Sequence, residues 1–102
     1  MHTLSSISEL NELLIQNPDK IICLDFWATW CKPCNDIAPE YSKLEELYNN
    51  IAIFCKVDVG GEEDISEEYD IKQIPTFAAY NQGIKVLNKV NFNDLEKYLQ
   101  NC

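Results

Sequence analysis

The chain has 102 residues, and no apolar run in it approaches the roughly 20 residues a membrane-spanning helix requires. Basic residues are scarce: eight Lys and Arg stand against seventeen Asp and Glu, for a net charge of −9. That balance argues against nucleic acid and anionic membrane surfaces as partners, since both demand a basic footprint. Solvated helix faces account for most of the excess acid, which aids solubility and favours basic partner surfaces. Glycine occurs three times and proline four, and no repeat, low-complexity tract or linker divides the chain. Residues 1–102 therefore read as a single domain. The opening Met1-His2-Thr3-Leu4-Ser5-Ser6 has neither the basic region nor the apolar run of a leader, so a reducing cytoplasmic compartment is expected.

What is present is a core. Apolar residues make up 46% of the chain, enough for a domain of this size to fold without disulfide staples or a structural metal. Cysteines stand at 23, 31, 34, 55 and 102, an odd number with one closely spaced pair. This is not the even framework of a secreted disulfide scaffold.

Ser6-Ile7-Ser8-Glu9 reads as a capping box opening a helix to about Gln16, stopped by Asn17-Pro18-Asp19. Ile21 to Trp27 is a mostly apolar run of buried-strand length. Ile37, Tyr41, Leu44, Leu47 and Tyr48 mark one face of a long helix in which Pro39 should introduce a kink. Ile51 to Val59 is a second buried strand, and Glu62 to Tyr69 a short acidic helix with Ile65 and Tyr69 inward. Asn81-Gln82-Gly83 joins the strands Thr76–Tyr80 and Ile84–Val90 as a hairpin. Phe92, Leu95 and Leu99 line a closing helix, and Thr3-Leu4 is a possible edge strand. This order predicts an α/β domain: a parallel βαβ unit, an antiparallel second half, and helices on both faces of a mixed sheet.

Cys31 and Cys34 fall at the strand-to-helix junction, in Trp30-Cys31-Lys32-Pro33-Cys34. Residues three apart on a helix share a face, with Cα atoms about 5–6 Å apart, a separation a disulfide accepts. Cys31 falls at the helix N-terminus, where unpaired amides and the macrodipole favour a thiolate, and Lys32 adds a cation. Cys34, one turn inside, should be less exposed. The asymmetry predicts that Cys31 attacks a partner's disulfide and that Cys34 resolves the mixed disulfide. Zinc is the competing reading, but it needs four ligands, and the single histidine, His2, lies far from the pair in sequence. No metal is expected.

Asp25-Phe26-Trp27-Ala28-Thr29-Trp30-Cys31-Lys32-Pro33-Cys34 resembles the active-site signature of the thioredoxin family, whose usual core is Trp-Cys-Gly-Pro-Cys. Ile37-Ala38-Pro39, Val57-Asp58-Val59 and Ile74-Pro75-Thr76-Phe77 resemble, in order, the family's kinked second helix, central strand end and cis-proline loop. The resemblance covers nearly the whole chain. It implies the thioredoxin fold, a mixed central sheet of four to five strands flanked by four helices. It also implies reduction of protein disulfides with no cofactor beyond the Cys31–Cys34 couple. The implied partners are disulfide-containing client proteins and a thioredoxin reductase or other dithiol donor, acting on a monomer.

By the same resemblance, Asp25 is a buried acid that takes the proton of Cys34, where an apolar setting raises its pKa; ending a strand is the alternative. Lys56 matches a lysine some members carry near that acid, with an exposed strand lysine as the alternative. Pro75 would be cis, and the Ile74 backbone would pair with an extended substrate segment; an ordinary trans proline is the alternative. Trp30 would cover the dithiol, while Trp27 packs. Two departures stand out. Lys32 replaces the family's glycine beside Pro33, which should lower the Cys31 pKa and make the couple more oxidising, an effect Asp36 and Glu40 partly neutralise. Val90-Asn91-Phe92-Asn93-Asp94 replaces a Val-Gly-Ala-like loop, which should reshape the substrate groove. Cys23 and Cys55 read as core residues. Cys102 reads as an inert thiol or one open to intermolecular pairing or glutathionylation. A thioredoxin-fold interaction subunit, whose surface matters more than its sulfur, is the competing function.

Overall fold

The computed structural model describes residues 1–61 and 64–102. The elements run β1 (His2–Thr3), α1 (Ile7–Gln16), β2 (Ile21–Trp27), α2 (Lys32–Tyr48), β3 (Ala52–Asp58), α3 (Asp64–Tyr69), β4 (Thr76–Asn81), β5 (Ile84–Val90) and α4 (Phe92–Gln100). The five strands lie in the order β1-β3-β2-β4-β5. β3 runs parallel to both β1 and β2, while β4 is antiparallel to β2 and β5 to β4. The expected mixed sheet with four helices is thus formed.

Local chemistry sets several boundaries. Ser6 caps α1, its hydroxyl accepting from the Glu9 amide at 3.1 Å. The return half of the capping box differs from expectation: Glu9 reaches the Ser5 amide, at 3.5 Å, instead of that of Ser6. The hairpin closes on the pair Asn81 and Ile84, so Gln82 and Gly83 alone form the turn. Both have positive φ, 53° and 79°, as a two-residue turn matching the strand twist requires.

The strand period of two divides the core between two faces. Ile22, Leu24 and Phe26 of β2 pack with Leu10 of α1 and with Ile65 and Tyr69 of α3. Ile21 and Cys23 pack on the opposite face with Tyr41 and Leu44 of α2 and Leu95 and Leu99 of α4. β2 is therefore covered on both sides, which is why its sequence is continuously apolar. Tyr41 ties α2 to the sheet, its buried hydroxyl 2.9 Å from the carbonyl oxygen of Cys55 and 3.3 Å from that of Cys23. Tyr41→Phe removes this hydrogen bond with little change of shape. Stability should fall by about 1 kcal/mol, read as a lower urea midpoint at unchanged slope.

Three expectations need adjustment, and a fourth falls partly outside the described residues. Leu47, placed on the inward face of α2, is 68% exposed, because Leu44 and Tyr48 already span the contact with the sheet. The N-terminal edge strand is His2–Thr3; Leu4 lies beyond it, buried against α1. α3 is described as Asp64–Tyr69, and the Glu62 and Glu63 positions expected at its start lie outside the described residues. β3 stops at Asp58, one residue short of Val59.

Candidate active site

β2 ends at Trp27, and the chain turns through Ala28, Thr29 and Trp30 into α2, with the Cys31 amide donating to the Ala28 carbonyl at 3.1 Å. Cys31 is the N-cap of α2. Its Sγ accepts from the Cys34 amide at 3.2 Å, taking the place a serine or aspartate oxygen usually fills. Pro33 sits in the first turn, where its missing N–H removes no helix bond. Cys34 completes that turn, and the two sulfurs are bonded to each other with Cα atoms 5.3 Å apart. No carboxylate lies in the first turn of α2 to oppose a negative sulfur. An amide donor and the positive end of a 17-residue helix therefore converge on Cys31.

Cys34 is the less exposed of the two cysteines, as expected, and both are buried. Cys31 is 5% exposed and Cys34 2%. Ala28 is buried with them, and Trp27, Val59 and Ile74 pack around the pair. The apolar collar comes from three separate loops, and sequence spacing alone assigned no part of it to Val59 or Ala28. Their signal was adjacency to recognised segments, Val57-Asp58-Val59 and the dithiol motif itself.

Asp25 is 1% exposed and lies two residues beyond Cys23, hence on the face of the sheet that carries α2 and α4. Burial pushes its pKa up to about 7, against a smaller downward pull from Lys56. Its Oδ1 has no hydrogen-bond partner among the described residues. Lys56 is its register neighbour on β3, and it is half-buried rather than exposed. The Lys56 ammonium sits 4.3 Å from the centre of the Trp27 ring. Asp25, Trp27 and Lys56 thus share one patch of the sheet.

The Ile74–Pro75 peptide bond is cis, and Ile74 places its side chain against the dithiol collar. Trp30 is 73% exposed beside the pair. A Cβ on Gly60 would lie 3.1 Å from Asp58 Oδ1 and 3.4 Å from Trp30 Nε1, so the indole edge rests near the Asp58–Gly60 turn. Lys32 points away into solvent and pairs with Asp36 one turn on, at 2.8 Å. Among the described residues no three His, Cys, Asp or Glu side chains gather as metal ligands.

Burial pushes the Cys55 thiol up to about 12 and the Cys23 thiol further still, so neither supplies a thiolate near neutral pH. Cys102, beyond α4, is free and exposed.

The family model for thioredoxin matches residues 4–101. Thioredoxin from Coprinus comatus is 46% identical over 95 residues, covering 91% of this chain and 87% of that protein. Thioredoxin-1 from Caenorhabditis elegans is 50% identical over 76 residues, covering 74% of this chain and 65% of that protein's length. The X-ray structure of Fasciola hepatica thioredoxin superimposes with a TM-score of 0.86 at 30% identity, covering 99% of this chain and 98% of that one. Sequence and shape agree, and the chain belongs to the thioredoxin family of thiol–disulfide oxidoreductases.

Proposed function

We propose that the chain reduces disulfides of client proteins by two successive exchanges at Cys31 and Cys34. The observation that carries this reading is the Cys31 sulfur held as N-cap of α2 with an amide donor already aimed at it. In the first exchange the Cys31 thiolate attacks one client sulfur. A Cys31–client bond forms, the client disulfide breaks, and the second client sulfur leaves as a thiolate. In the second, Asp25 accepts the Cys34 proton and the Cys34 sulfur attacks Cys31 Sγ. The Cys31–Cys34 disulfide forms and the first client sulfur departs, so two electrons pass to the client. A pKa near 7 suits Asp25 to take and return a proton under neutral conditions. Lys56, beside Asp25, sets how far burial raises that acid.

Ile74 packs against the dithiol, and with cis-Pro75 it presents the backbone along which an extended client segment pairs. Trp30 supplies exposed apolar contact beside Cys31. A thioredoxin reductase or another dithiol donor returns the two electrons, and no further cofactor takes part. We place the protein in the cytoplasm as a monomer; no helix among the described residues is long and apolar enough to cross a membrane. The interaction-subunit alternative is not favoured, because family membership and the disulfide-forming pair both point to redox chemistry.

The direct test is turnover of a protein disulfide with a dithiol donor, wild type against the double variant Cys31→Ser, Cys34→Ser. Equal activity would exclude the reductase reading. The reduction potential against a glutathione series then separates a reductant from an oxidant, since 30 mV corresponds to about 1.4 kcal/mol.

Lys32 allows a finer prediction. Its ion pair with Asp36 offsets part of its pull on the Cys31 thiolate. Asp36→Asn should therefore lower the Cys31 pKa and make the couple more oxidising, whereas Lys32→Gly should do the opposite. Thiolate absorbance against pH in the three proteins checks the order; an unchanged Cys31 pKa in both variants would remove Lys32 from the tuning set.

A further inference from the structure

β5 is the last strand of the sheet, with no strand pairing its outer edge among the described residues. Two of its apolar side chains face water, Ile84 at 68% and Val86 at 39% exposure. The charge pattern around it is unlike the rest of the molecule. In a chain of net charge −9, residues 71–93 contain no Asp or Glu but carry Lys72, Lys85 and Lys89. Lys72 pairs with Asp70, while Lys85 and Lys89 make no ion pair among the described residues. Lys85 is held over the Tyr69 ring at 4.2 Å.

We propose that the outer edge of β5 docks an extended, acidic segment of a client protein by strand addition. The pairing of β5 with β4 carries two register shifts and Lys89 has φ 54°, so the unpaired N–H and C=O groups of the stretches between these irregularities supply the hydrogen bonds, and Lys85 and Lys89 select carboxylates on the incoming strand. Edge lysines usually deter pairing, and here they deter neutral and basic strands. They also disfavour a second copy, because a β5–β5 pair would set lysines against lysines between two chains of charge −9. At physiological salt, charges beyond about 8 Å are largely screened; acidic α3 lies beside Lys85, through Tyr69, and α4 follows β5 after Asn91, so the selection rests on the lysines that stand on the strand itself.

The edge leads to the dithiol. Val90 at its end pairs with Phe77, and the Thr76 hydroxyl, one residue after Pro75, donates to the Val90 carbonyl at 3.3 Å. Only Asn91 separates β5 from α4, so no loop intervenes between the strand end and the helix. A segment docked on β5 thus runs towards the end of the sheet that carries the Ile74–Pro75 loop, one strand away across β5; its delivery to that loop is part of the proposal. This delivery rests on the reductase reading, whereas the docking itself does not.

The test uses a fluorescein-labelled, cysteine-free peptide of alternating glutamate and valine, followed by anisotropy with the oxidised protein. A lysine–valine peptide and an N-methylated glutamate–valine peptide serve as comparisons. The glutamate peptide should bind, and the lysine peptide on the order of tenfold more weakly. N-methylation of alternate amides should abolish binding while leaving charge unchanged. The double variant Lys85→Glu, Lys89→Glu should reverse the peptide preference while retaining wild-type turnover of a small aromatic disulfide. Failure of the glutamate peptide to bind wild type, equal binding of the N-methylated peptide, or an unchanged preference in the variant would overturn the proposal. Concentration-dependent dimerisation blocked by the peptide would assign the edge to a second copy and overturn it too. Because the peptides carry no sulfur, a loss of turnover with docking intact would count against the reductase reading alone.

Discussion

Cys31→Ser is expected to stop disulfide turnover, by more than about a thousandfold, while Cys34→Ser stops it one step later with the client covalently attached. The difference follows from position. Cys31 is the N-cap, where the Cys34 amide and the helix end stabilise negative sulfur; a serine oxygen there still caps the helix but is far too basic to act as a thiolate. Cys34 lies inside the first turn, behind the N-cap sulfur, and is the less exposed of the two buried cysteines, at 2% against 5%. Its serine variant retains the attacking sulfur and loses only the group that releases the client. Incubation of each reduced variant with a disulfide-bearing protein, followed by non-reducing electrophoresis, checks the assignment. A trapped adduct with Cys34→Ser and none with Cys31→Ser is the expected pattern. The reverse pattern would exchange the two roles.

Asp25→Asn should stabilise the protein at pH 8 and slow it as a catalyst. The folded-state pKa of Asp25 is about 7, raised from 3.8 by burial. For an acid whose pKa is raised on folding, the folded state holds the extra proton. The linked contribution to stability is fully present below about pH 4, lost as pH rises towards 7, and flat beyond it. Three pKa units correspond to roughly 4 kcal/mol, an order-of-magnitude figure for the cost of ionising this carboxyl in place. Asparagine cannot ionise and so avoids that cost. In urea unfolding the variant should exceed wild type by a few kcal/mol at pH 8, with the advantage shrinking as pH falls towards 4. Turnover should drop by at least about tenfold at pH 7, at the low side for acid–base catalysis because water can accept the proton in its stead. A variant no more stable than wild type at pH 8 would show that Asp25 carries no burial penalty.

Much of this protein was legible from local pattern. Ile21–Trp27 read as a doubly buried strand because all but its last residue are covered from both faces. The hairpin and the Ser6 cap were legible because backbone conformation and capping depend on neighbours two or three residues away, although Asn81, read as part of the turn, closes β4 and leaves Gln82-Gly83 as the turn. Leu47 was misplaced because helical periodicity states which residues share a stripe, not how wide a stripe the sheet covers. Lys56 could not be assigned between an exposed and a site position, since that depends on its register against Asp25 across two strands.

The dithiol, its helix-terminal position and the family resemblance were determined by the sequence alone, because they rest on spacings of a few residues. Tertiary structure decided what surrounds them. It drew Ala28, Val59 and Ile74 from three loops around the sulfurs and buried Asp25 with no partner for its Oδ1 among the described residues. It also left the lysine-bearing β5 at the edge of the sheet. Such features depend on which distant segments meet, and strand order and packing, not residue spacing, settle those meetings.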